Sequence, residues 1–259
     1  MADLVLGRLG MSVESVRYPE QQEPCHGAVL DGRRPRWLAP VWHTAALVGL
    51  YVAVAIVGVV TLGGAAQTTK STSISPIAAI YLPTIVVQIA LAAWAVRIGR
   101  ERSALTRLLG RRWTTVWRAL GDVGLAGVAF VSIRLIEALW LTTSAGPGPG
   151  VAAILPHTAA ECGAWIFFSI VVGISEELVF RGYLQSQLEG FTRRPNLAWA
   201  LQALLFGVAH LSQGVAGAAR VAIYGLLLGL LSRARRSLIP GMLCHVAIDL
   251  ASGLSGTAP

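Results

Sequence analysis

Seven apolar runs follow one another along the chain, at Leu38–Leu62, Ile74–Val96, Trp117–Leu141, Gly163–Leu184, Leu197–Leu211, Val215–Leu231 and Leu238–Leu254. A helix needs roughly 20 predominantly apolar residues to cross about 30 Å of hydrocarbon. The first two runs meet that requirement with almost no charge, because Lys70 is the only charged residue between Leu38 and Val96. The fifth, sixth and seventh runs have 15, 17 and 17 residues, at or below spanning length. They predict helices packed inside a bundle or lengthened by polar turns. The pattern as a whole predicts an all-α fold, a polytopic integral membrane helical bundle of about seven transmembrane helices.

Composition points the same way. Of the 259 residues 54% are apolar and 13% charged, with a mean hydropathy of +0.63. A soluble domain carries about 25% charged residues, so this chain is too poor in charge for a water-soluble globule and too apolar for a disordered one. The net charge of +8 would suggest nucleic acid in a soluble protein. Here the basic residues are placed by topology, which implies membrane lipids and no nucleic acid as partners. Arg8, Arg17, Arg33, Arg34 and Arg36 precede the first run, and six arginines lie between Arg97 and Arg112. Arg193 and Arg194 follow the fourth run, while Arg233, Arg235 and Arg236 follow the sixth. The alternate connections hold only Lys70 or, at 142–162, no basic residue. By the positive-inside rule this predicts seven spans in the plasma membrane, with the N-terminus cytoplasmic and the C-terminus external. The expected organisation is a mobile cytoplasmic tail at 1–36, three N-terminal spans with a basic loop at 37–141, an external Gly/Pro-rich loop at 142–160, and a core of helices at 161–256. The tail lacks the pattern of a signal peptide. The stretch Arg97–Arg118 reads as a positive-inside retention signal, with a basic helix lying on anionic lipid as the alternative.

Ionisable residues inside spans are costly and need a partner or a task. Arg134 and Glu137, three apart on the third run, are spaced to pair with each other. Asp122 lies near the inner end, where interfacial water is expected to reach it. The later runs are richer. The fourth ends Ser175-Glu176-Glu177-Leu178-Val179-Phe180-Arg181, so adjacent carboxylates point about 100° apart on a helix. Glu177 and Arg181, four apart, share a face suited to a salt bridge. That leaves Glu176 free to serve as a general base. The fifth run places Phe206 one turn before His210, and the seventh places His245 one turn before Asp249.

These elements, Glu-Glu-x-x-x-Arg, then Phe-x-x-x-His, then His-x-x-x-Asn or Asp, resemble the CAAX protease and bacteriocin-processing family, which includes the type II CAAX prenyl endopeptidases. The resemblance covers roughly residues 160–255 and rests on Glu176, Glu177, Arg181, Phe206, His210, His245 and Asp249. It implies an intramembrane protease of the glutamate type. The family also includes members that act as scaffolds or in bacteriocin self-immunity.

By that resemblance and by the chemistry of peptide hydrolysis, Glu176 is the expected base and His210 holds, or helps to deprotonate, the same water. His245 donates to the oxyanion, Glu177 and Arg181 brace the fourth helix, and Phe206 packs beside the site. Asp249 stands where the motif also takes Asn. It is either a neutral acid that donates or, the favoured reading, a carboxylate that orients His245. Two histidines with Glu and Asp would also suit zinc, but no His-Glu-x-x-His is present and no metal or other cofactor is expected. Cys25, Cys162 and Cys244 match no metal or disulfide framework. The expected substrate is a peptide or membrane-protein segment, lipidated or not. The alternatives are a non-catalytic scaffold or immunity protein, and a transporter, for which no internal repeat is evident. Depth is a constraint on any such site: Glu176 lies past the middle of its span and His210 near the far end of another, so they meet only if the fifth helix is shifted or ends in a re-entrant turn.

Overall fold

The computed structural model describes residues 37–65, 75–102, 104–143 and 154–255. The tail 1–36, the turn around Lys70 and the Gly146–Gly150 stretch lie outside the described residues. The regular structure within them is helical. In chain order it comprises α1 (Val41–Ala65), a π-helical turn (Ile77–Tyr81) leading into α2 (Leu82–Glu101), a short α3 (Leu105–Leu109) and α4 (Val116–Thr143). There follow α5 (Ala159–Glu176), a π-helical segment (Glu177–Leu184), α6 (Gln185–Thr192), α7 (Pro195–Ala209), a 3₁₀ turn (Leu211–Gln213), α8 (Gly214–Arg235) and α9 (Ile239–Leu254). Five helices are long and apolar enough to cross a membrane, and the shorter apolar α7 and α9 complete a helical membrane bundle of seven.

The fourth run is the longest departure from its expected limits. Helix α5, the π segment and α6 are continuous over the 34 residues from Ala159 to Thr192, about 50 Å at 1.5 Å per residue. Its start is set by a capping box: Thr158 accepts from the Glu161 backbone N–H, and the Glu161 carboxylate accepts from the Thr158 N–H. Its end is set by Arg193 in the left-handed region followed by Pro195. This rod is the centre of the bundle: 56% of its most apolar window is buried, against 17% for α1 and for α4. Val179, Phe180, Tyr183 and Leu184 are almost wholly inaccessible and pack with Leu38, Leu108, Phe206 and Leu238. The N-terminal spans turn residues such as Val60, Val86 and Leu139 outward, which suits acyl chains.

Because lipid tails are as apolar as leucine, helices in a bilayer associate through close packing and interhelical hydrogen bonds. Both are present. A side-chain Cβ at Gly173 would lie 2.8 Å from Val246 Cγ2, so α5 and α9 meet there only because residue 173 has none. Gln187, fully buried, accepts from the backbone N–H groups of Leu38 and Ala39 and donates to the Ala39 carbonyl and to Thr44 Oγ1, fastening the start of α1 to α6. Trp199 Nε1 and Gln202 Nε2 donate to α8 carbonyls at 2.9 and 3.1 Å.

Two expectations are corrected here. Asp122 does not reach interfacial water: its residue exposure is 2%, and its carboxylate accepts from Arg235 Nε at 2.6 Å and Trp113 Nε1 at 2.9 Å, tying α4 to the end of α8. Arg97–Arg118 is not one basic helix. Helix α2 stops at Glu101, α3 has five residues, and Gly110 at φ +73° starts a non-helical stretch. That stretch is held by Arg111 N–H donating to the Arg236 carbonyl and Leu238 N–H donating to the Leu109 carbonyl. The two basic connections are thereby joined at one end of the bundle. Arg134 and Glu137 do pair with each other.

Candidate functional site

The residues of interest converge on His245, which α9 carries into the bundle against the point where α5 becomes π-helical. Its ring is buried, and three carboxylates stand around it. Nδ1 lies 3.0 Å from Glu177 Oε1, while Nε2 is 3.7 Å from Glu176 Oε2 and 3.8 Å from Asp249 Oδ2. A carboxylate only accepts, so Nδ1–H donates to Glu177. The ring nitrogen that faces Glu176 and Asp249 is then Nε2.

Glu177 is fixed from two sides. Its Oε1 stands 3.0 Å from Arg181 Nη1 as well as from His245, and neither Glu177 nor Arg181 exposes any of its side chain. The guanidinium of Arg181 also lies over the Phe206 ring at 4.2 Å, a cation–π contact. Gly241 lets α9 approach closely, since a Cβ there would sit 2.8 Å from Glu177 Oε2. Glu176, one residue earlier, is held differently. Its Oε1 accepts from Gln88 Nε2 of α2 at 2.9 Å, and its Oε2, on the side of His245, has no hydrogen-bond partner among the described residues. The π segment starts at Glu177. Such i→i+5 turns widen a helix and occur often at functional positions.

Phe206 links the second histidine to this group. Its ring is edge-on to His245 at 5.8 Å and to His210 at 4.8 Å. His210 caps the end of α7, and its Nδ1 pairs with the Phe206 carbonyl at 2.8 Å, so Nε2 is its outward nitrogen. The 3₁₀ turn after His210 returns the chain into α8. Among the described residues the carboxylates gather on His245 and not on His210, which joins the group through Phe206.

The structure thus brings Glu176, Glu177, Arg181, Phe206, His245 and Asp249 together, with His210 at the margin. One expected role changes. Asp249 at 3.8 Å makes no hydrogen bond to His245, and its side chain keeps 23% exposure; the group that orients the ring is Glu177. The α9 backbone lets both approach, because Glu177 comes from a different helix while Asp249 must reach back along its own. Gln88 was not singled out by the sequence, although an amide in an apolar span was the available signal. Among the described residues no three His, Cys, Asp or Glu side chains form a metal-holding group.

Residues 158–251 match the model of the family described as type II CAAX prenyl endopeptidase Rce1-like. The matched segment runs from the cap of α5 almost to the end of α9 and contains Glu176, Glu177, His210, His245 and Asp249. No curated protein and no solved structure matches the chain.

Proposed function

We propose that this protein, whose residues 158–251 belong to the Rce1-like family of CAAX-protease-type membrane endopeptidases, hydrolyses a peptide bond of a membrane-associated substrate with a water activated by Glu176. The observation that carries this reading is the meeting of Glu176 and Asp249 at one nitrogen of a buried histidine whose other nitrogen is already held by Glu177.

Glu176 Oε2 takes a proton from water as the water oxygen bonds to the scissile carbonyl carbon. The same carboxyl then gives that proton to the amine as the C–N bond breaks. His245 donates from Nε2 to the oxyanion. With Nδ1–H committed to Glu177, that donor belongs to a ring protonated at both nitrogens. Gln88 fixes the direction of the Glu176 carboxylate, and His210 Nε2 holds the water or the substrate at the rim. Helices α5 to α9 form the catalytic core, the three N-terminal spans a lipid-facing shell, and the tail at 1–36 a cytoplasmic extension. The basic ends of α2, α6 and α8 lie on the cytoplasmic side of the plasma membrane. The substrate is a peptide or membrane-protein tail, with or without a lipid.

A non-catalytic scaffold or immunity role is the second reading, favoured by Asp249 in a position where the motif also takes Asn. Comparative proteomics of membrane peptides from cells with the wild type or Glu176→Gln separates the two. Fragments present only with the wild type, at equal protein levels, support the peptidase; identical peptide profiles overturn it.

A further inference from the structure

At the end of the bundle away from Asp249 and His210 lies a cavity of about 700 Å³, bounded by α3, α6, the start of α7 and the turn between α8 and α9. Five arginines line it, Arg111, Arg112, Arg181, Arg233 and Arg236, against a single acid, Glu189. Arg181 is engaged with Glu177, and Arg233 donates to Asn196 Oδ1 at 3.0 Å. Arg111, Arg112 and Arg236 make no ion pair among the described residues. All three are exposed, so an anion entering the cavity meets them directly.

Arg236 ends α8 in the left-handed region, at φ +50°, the usual conformation of a helix C-cap, and this turn brings it to the cavity. Gly110 must be glycine, since at φ +73° a Cβ would run into the Arg236 carbonyl. The bonds from Arg111 N–H to the Arg236 carbonyl and from Leu238 N–H to the Leu109 carbonyl pin the two basic connections face to face across the cavity mouth. A retention signal needs basic residues only near the ends of spans; it does not need them tied around a common space.

We propose that this cavity binds a phosphate-bearing anion, the headgroup of an anionic phospholipid at the membrane surface. It lies between transmembrane helices at their basic ends, where headgroup phosphates stand, and guanidinium forks match phosphate oxygens. A free phosphate shares that chemistry, so the two sources are tested separately. The proposal does not depend on peptidase activity.

The full-length protein in neutral detergent is titrated with short-chain phosphatidylglycerol, with phosphatidylcholine of the same chain length, and with inorganic phosphate, with binding read by native mass spectrometry and by thermal shift. The variants are Arg111→Gln, Arg236→Asn (Asn tolerates the left-handed backbone) and their combination. Arg118→Gln, half-buried and outside the cavity lining, is the control. Saturable binding of phosphatidylglycerol but not phosphatidylcholine is expected, weakened about fivefold by each substitution and about thirtyfold by the pair, with Arg118→Gln unchanged. Wild-type-like melting of the variants without ligand separates lost binding from lost folding, and either single variant serves if the double does not fold. Preference for inorganic phosphate over the lipid overturns the headgroup assignment. Equal binding of both lipids, or equal losses in the control and the cavity variants, overturns the site.

Discussion

Glu177→Gln tests whether the adjacent carboxylates divide their labour as the geometry indicates. In the wild type Glu177 Oε1 serves both Arg181 and His245 at 3.0 Å, with both ion-pair side chains fully buried. Removing one partner of a buried ion pair costs about 3–5 kcal/mol, because the other charge is stranded. Glutamine keeps a carbonyl acceptor, and the Phe206 ring 4.2 Å from the guanidinium retains a cation–π contact of up to roughly 2 kcal/mol. The expected loss is therefore reduced to about 2–3 kcal/mol, with Glu177→Ala nearer the full figure. For a chain of this size that lowers Tm by roughly 4–12 °C. Glu176→Gln behaves otherwise. It can keep its contact with Gln88, and the nearby cations Arg181 and His245 keep Glu177 as their anion, so its Tm stays within about 3 °C of the wild type while peptidase activity is lost. Thermal unfolding in detergent, followed by the fluorescence of the eight tryptophans, reads the first effect and a cleavage assay the second. If Glu177→Gln melts with the wild type, or if Glu176→Gln falls as far as Glu177→Gln, the assignment of anchor and base is wrong.

The remaining expectations concern the margin of the site and its orientation. Asp249→Asn should retain most activity, because Glu177 and not Asp249 holds the His245 ring. Asp249→Ala, which removes a polar group beside Nε2, should lower kcat several-fold, and equal rates for both would place Asp249 outside the reaction. Gln88→Leu deprives Glu176 Oε1 of its donor and should lower kcat about tenfold with KM little changed, while Gln88→Glu should be worse because it faces a carboxylate with a carboxylate. Single cysteines in a cysteine-free background should be labelled from outside the cell at 157 and only after permeabilisation at 193. External labelling at 193 would reverse the orientation.

Long-range apolar periodicity is what made the bundle legible. Each of the seven runs corresponds to a helix, with most ends displaced by a few residues; the fourth starts earlier at the Thr158–Glu161 cap and continues past Leu184 through the polar residues up to Thr192. The pairing of Glu177 with Arg181 was legible for the same reason, since i and i+4 share a face on any helix. What could not be read was tertiary. Nothing local marks Gln88 as the partner of Glu176, because the two are 88 positions apart and meet only when α2 packs on α5. Asp249 looked like the orienting group of His245 because it lies one turn away on the same helix. Glu177 reaches the ring from across the interface because Gly241 leaves it room. The π-helical segment also escaped the pattern, since one widened turn leaves the hydrophobic register nearly intact.

That segment explains how two neighbouring glutamates can differ so much. On a regular helix their side chains diverge by about 100°, which alone separates them into two environments. Where the helix widens at Glu177, Arg181 comes under the same oxygen that receives His245. Glu177 thus becomes the hub of a fully buried network spanning α5 and α9, with the ring of Phe206 bringing in α7. Glu176, still on the regular helix, has one oxygen bonded to α2 and the other turned toward His245 Nε2. The network that stabilises the meeting of three helices is therefore also what keeps a proton on Nδ1 and fixes the direction of the imidazole facing the free oxygen. A residue that served stability alone would tolerate exchange of the whole Glu177–Arg181 pair for apolar side chains of similar size, as buried ion pairs often do. Here that exchange would leave His245 Nδ1 without its acceptor, so folding should survive it and hydrolysis should not.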